Sequence, residues 1–259
     1  VTLRPALAAL LLAAAPLAQA GRSCERKAPD ARTVERAMTL AEHTALRLDA
    51  SGAQVVLLAR VGQDLREYGL RYSHLGIAYR DAPGAPWRIA HKLNQCGTAT
   101  AAVYRQGLGE FFLDDLFDYE AGIVVPTPEV QARLLPALRD NRRLAQLHTP
   151  AYNMVAYPWA QAYQQSNQWA LETLAMAQDP AIATRGQAQA WLRGRGYEPA
   201  TLHLSAFKRL GARMTAANIA FDDHPNAKRF SDRIETVTVD SVFRWMYRSG
   251  LGGAATVVR

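Results

Sequence analysis

Cysteine is nearly absent from this chain: of 259 residues only Cys24 and Cys96 carry thiols. That excludes disulfide-dense scaffolds and multi-cysteine zinc modules, which need at least about four. Lysine is almost as scarce, at positions 27, 92, 208 and 228, so the formal net charge of +7 rests on arginine. The arginines are dispersed, and no basic cluster is interleaved with aromatics, which argues against a nucleic-acid partner. Dispersed positive charge suits an envelope rich in anionic polymers and lipids, although high-GC codon bias accounts for it more simply. Beyond residue 20 no apolar run approaches the roughly 20 residues of a helical membrane span. Internal repeats and low-complexity tracts are lacking too. What remains is 49% hydrophobic, ordinary for a globular chain of one large domain or two small ones.

The first 20 residues read as a cleavable signal peptide. Arg4 supplies the positive region, Ala6 to Ala15 the apolar core, and Ala18-Gln19-Ala20 the small-x-small cleavage site. An uncleaved interfacial anchor is the alternative. Lipidation at Cys24 is disfavoured because Arg22 interrupts the small residues that such a signal requires. The expected product is exported, periplasmic or secreted. It consists of residues 21–259 as a single domain whose part from about 178 onward is a helical extension. In an oxidising compartment Cys24 and Cys96 most simply form one disulfide. Closing so long a loop would stabilise the fold by about 4 kcal/mol in the chain-entropy view.

Val34, Met38, Ala41, Ala45 and Leu48 recur at helical spacing over 33–49. Residues 53–59 form a short apolar run after Ser51-Gly52, which predicts a buried strand. Strands at 72–79 and 87–93 flank a turn-rich connector, 80–86, and so make an antiparallel hairpin. Another strand is expected at 121–125, ended by Pro126 and Pro128. A helix kinked at Pro136 is expected over 129–147, an aromatic turn region over 152–165, and a strong helix over 167–176. A late strand is expected at 234–239. Strands gathered in one region with helices around them predict an α+β fold, an antiparallel sheet with flanking helices.

Strand alternation places His74, Gly76 and Ala78 on one face. Two very small residues beside an imidazole leave room for something to approach. Trp87, Ile89, His91 and Leu93 share a face of the next strand, so His91 is expected beside His74, fixing its tautomer as an orienter fixes a general base. Ser166 stands at the start of the 167–176 helix, where backbone N–H groups favour developing negative charge. Nucleophile, histidine base and polar orienter follow the logic of papain-type sites.

Residues 72–79 (Tyr-Ser-His-Leu-Gly-Ile-Ala-Tyr) and 87–91 (Trp-Arg-Ile-Ala-His) resemble the paired strands of NlpC-type papain-like hydrolases. The segment Tyr163-Gln164-Gln165-Ser166-Asn167-Gln168-Trp169 comes after them, as in the circularly permuted branch of that superfamily. The order and motif flanks also resemble an uncharacterised bacterial family of secreted proteins placed near that branch. The resemblance implies a papain-like fold and attack on an amide or ester through Ser166, His74 and His91. It calls for no cofactor and no metal. The implied substrates are peptidoglycan stem peptides or an acylated envelope component.

One departure weighs on this reading. Where the permuted enzymes carry cysteine, this chain has Ser166, a far weaker unassisted nucleophile. The alternative is therefore a non-catalytic envelope protein, binding or structural, with a degenerate papain-like site. Each residue also has a plainer use. His74 and His91 serve as half-buried strand histidines, and Ser166 as a helix N-cap. Cys96 as a displaced nucleophile, and Asp222-Asp223-His224 as metal ligands, are poorer readings than a disulfide and a turn. Trp159, Tyr163 and Trp169 fit core packing better than a substrate groove.

Overall fold

The computed structural model describes residues 28–114 and 116–259, with the side chains of 213–215 left aside. The leader at 1–20 lies outside the described residues, as does Cys24 and with it the pairing to Cys96. The elements are α1 (Ala31–Ala50), β1 (Val55–Val61), β2 (His74–Tyr79), β3 (Arg88–Asn94), β4 (Ala101–Gly107) and α2 (Leu108–Leu113). They continue with β5 (Asp118–Val124), α3 (Pro128–Arg139), α4 (Asn141–Ala145), α5 (Ser166–Gln178) and α6 (Arg185–Gly194). The chain closes with β6 (Ala200–His203), α7 (Ala206–Thr215), α8 (Asn226–Arg229), β7 (Arg233–Thr236), α9 (Val239–Arg248) and β8 (Thr256–Val258).

A six-stranded sheet in the order β4-β3-β2-β1-β5-β8 organises the fold, and every pairing in it is antiparallel. The α+β expectation therefore holds. Both faces are covered, which is why all seven residues of β1 are buried and its sequence reads as a nearly unbroken apolar run. On one face, α1 and α2 pack through Leu40, Leu48, Phe111 and Phe112 against Val56, Leu58, Ala78 and Ile89. On the other, α3, α5, α6 and α9 cover Leu57, Leu75 and Ile77 with Leu134, Trp169, Leu192 and Trp245. The last strand, β8, returns to the sheet against β5, so the end of the chain is part of the main body.

Local chemistry sets the boundaries. Asp30 caps α1 by accepting from the Thr33 N–H at 2.7 Å. The long helix expected over 129–147 is broken at Asp140, which accepts from the Arg142 and Arg143 N–H groups and starts α4 anew. The late strand ends at Thr236, because Thr238 and Ser241 form a capping box that opens α9.

Irregular residues 146–165 are fastened by side chains instead of a ladder. Arg185 grips Glu172 through Nε at 2.8 Å and also donates to the Ala160 and Gln161 carbonyls. Gln164 and Gln189 donate to the same carboxylate at 2.6 and 2.9 Å. Fully buried Lys92 donates to Thr149 O at 2.6 Å and to Gln164 Oε1 at 2.9 Å. Burial, with help from the Arg185 charge, pulls the Lys92 ammonium down to about 7.

Candidate functional site

His74 opens β2 directly across from Arg60 of β1. Its Nε2 lies 2.9 Å from Nδ1 of His91 on β3, so the two imidazoles meet on one sheet face as alternation requires. Their rings stand edge to face at 5.2 Å, with the Phe111 ring against both. Here the structure corrects one expectation. The space beside Gly76 is not open to a ligand, because a Cβ there would run into Ile89 and press on His91 and Phe111. Gly76 is small so that this layer can pack.

Gln106 Nε2 donates to the Glu110 carboxylate at 3.0 Å, and the Gln106 side chain lies near enough to His91 to oppose part of the lowering of its pKa. Gln106 Oε1 and His91 Nε2 are both buried, and neither closes a hydrogen bond. Because Oε1 can only accept, we expect the His91 proton on Nε2, with Nδ1 accepting from the Nε2–H of His74 and His74 Nδ1 unprotonated. Histidine spectra resolved by ¹⁵N should show this tautomer for both rings, and Gln106→Met should redistribute that of His91. A wild-type majority of Nδ1–H in either ring would contradict this placement.

Arg60 sets the electrostatics. Its guanidinium lies 4.6 Å over the Phe111 ring and donates to Phe111 O and to the Asp114 carboxylate. Desolvation, then the Arg60 charge, holds His74 well below 6.5 and pulls His91 down to about 3. Both rings are neutral near pH 7.

Ser166 belongs to the helix on the opposite sheet face. It is the first helical residue and not the cap: Gln165 caps α5, its Oε1 accepting from Asn167 N at 3.1 Å. The register differs by one because the longer Gln165 side chain, anchored by Thr236 Oγ1 at 3.0 Å, reaches the exposed N–H first. Asn167 Oδ1 in turn accepts from Leu75 N at 2.9 Å and fastens the start of α5 to the start of β2. The Ser166 side chain lies beside the buried Tyr152 phenol. Among the described residues, no hydrogen bond joins Ser166 to either histidine.

The two layers meet at a cavity of about 610 Å³ where β1 ends and β2 begins. Arg60, His74, Asp114 and Ser166 border it on one side. Leu70, Met154, Val155, Leu204 and Phe221 supply much of the apolar remainder, and α7 forms its outer wall. Trp159, Tyr163 and Trp169 lie elsewhere: Trp169 is core, Trp159 packs at the core's edge, and Tyr163 donates to Asp222 at 3.2 Å. Asp223 accepts from Tyr157 N and contacts His224 at 2.9 Å, so residues 222–224 brace neighbouring loops. Cys96 sits in the turn after β3, away from the cavity.

Sequence reasoning missed Arg60, Asp114, Gln106 and Glu110. A lone arginine inside the apolar run of β1 was the available signal for Arg60, since a buried charge demands a partner.

A model of one bacterial family, described as "Uncharacterized protein conserved in bacteria (DUF2145)", matches residues 47–246. No curated protein and no solved structure matches the chain. The matched span runs from the end of α1 into α9 and includes both histidines, the cavity and Ser166. The chain is a member of that bacterial family.

Proposed function

We propose that this is an exported envelope protein whose cavity binds an acylated component by its apolar chain, with an amide or ester head at the His74–Ser166 end. One observation carries the reading: apolar walls converge on a few polar groups in a volume typical of small-molecule sites. The electrostatics favour binding over turnover. A general base works best with a pKa near the working pH, whereas His74 is held well below 6.5 beside a guanidinium. Papain-like ancestry with a degenerate site is compatible with the antiparallel sheet and with His91 bonded to His74.

A dansyl-labelled acyl amide of medium chain length is the probe. It should gain fluorescence on binding, and Leu70→Trp, which narrows the cavity, should weaken binding at least tenfold. No binding by the folded wild type would refute the reading. Hydrolysis is the second reading, favoured by Ser166 and His74 bordering one cavity. A fluorophosphonate that labels the wild type but not Ser166→Ala would bring it to the front.

A further inference from the structure

The outer wall of the cavity is an unusual helix. None of the residues of α7 with described side chains is buried. Lys208, Gly211 and Ala212, spaced to share one face, border the cavity. Phe207 and Arg209 border it too, Phe207 while remaining 85% exposed, and Leu210, 59% exposed, lies outside the cavity lining. Arg209 donates to the Ser231 and Arg229 carbonyls, which brings Phe230, 77% exposed, beside the same helix. Exposed large apolar side chains so grouped call for a cover.

Charge selects the cover. Residues 206–215 contain Lys208, Arg209 and Arg213 and no acid. Over 203–235 six Lys and Arg stand against four Asp and Glu, and one of the four, Asp223, is fully buried against His224. Lys208 pairs with Glu67 and Lys228 with Glu235, so the excess positive charge rests on arginine. The chain as a whole is +7. A second copy would bring like charge to this face, whereas a bilayer with anionic headgroups brings the opposite one. Phenylalanine and leucine flanked by Lys and Arg make up the composition by which short amphipathic helices lie in a membrane interface.

We propose that α7 and Phe230 dock this protein on an anionic lipid surface, with the cavity wall lying against the bilayer. The inference rests on the outward face of α7 and not on the chemistry within the cavity, so either can fail alone.

Flotation of the full exported chain with vesicles tests it, using phosphatidylcholine alone and phosphatidylcholine mixed with phosphatidylglycerol. The wild type should float with the anionic vesicles, lose that association as salt rises, and bind neutral vesicles at least tenfold more weakly. Leu210→Glu with Phe230→Glu should reduce binding tenfold or more at an unchanged melting temperature, since both side chains are exposed. Three results would each overturn the proposal: no wild-type binding to anionic vesicles, undiminished binding by the double variant, or a wild-type dimer that the variant dissociates. Uptake of the dansyl acyl probe in lipid-free buffer, measured alongside, reports on the cavity alone.

Discussion

Acidification from about pH 7 to about pH 5 should destabilise the fold by about 2 kcal/mol through His91 alone. The sign follows from linkage: the unfolded chain binds a proton near 6.5, the folded chain not until about 3. Stability is therefore complete above 6.5 and falls as the pH drops toward 3. His74, depressed by the same burial and the same Arg60 charge, adds in the same direction. So does His148, pulled to about 4 by desolvation and Lys92, though its partial exposure weakens the effect. In thermal melts the His91 share amounts to about 4–8 °C for a chain of this size. Ordinary carboxylates titrate below the window from 7 to 5; Asp240, pushed up by burial, acts in the opposite direction. His91→Gln, which keeps hydrogen-bonding groups but cannot charge, should flatten that limb. A wild-type profile flat between those values would mean that the rings are not desolvated as described.

Glu172→Leu should cost about 3–5 kcal/mol, the larger of the two effects. Its carboxylate is 1% exposed and Arg185 is 7% exposed, so removing one leaves the other charged and dry. Gln164 and Gln189 lose an acceptor at the same time. Denaturant titration should show the midpoint falling sharply. Adding Arg185→Met should restore a large part of the loss, because the stranded charge is then gone. If the single variant lost less than about 1 kcal/mol, the carboxylate would not be what holds residues 146–165.

The central hairpin was legible from sequence because alternation is strict there: Leu75 and Ile77 on one side, His74, Gly76 and Ala78 on the other. Helix α5 was legible from Trp169, Leu171 and Leu174. Strand β4 and helix α2 were not. Ala-Ala-Val-Tyr-Arg-Gln-Gly lies near the sheet edge with half of its face wet, and α2 begins after Gly107 without a side-chain cap. Nor did the sequence point to Gln165, since glutamine is an uncommon cap and succeeds here only because Thr236 anchors its amide. Gln106 became visible only once the register set Ile89 opposite it, placing it diagonally from His91. The histidine pair was thus readable from local pattern. The residues that surround it and set its electrostatics come from β1, β4 and α2, and no local pattern joins those.

The lock around Glu172 has a further consequence for how a guest would be received. Tyr152, Met154 and Val155, on the cavity's inner side, belong to the segment that it immobilises. That side is ready-made, and a guest settling there gives up little ordering entropy to shape it. The opposite side is α7, none of whose described side chains is buried and which Lys208 and Arg209 hold through polar and cation–ring contacts. Affinity would then be written into the stiff floor and residence time into the soft roof, so that substitutions in the two should separate into equilibrium and rate effects.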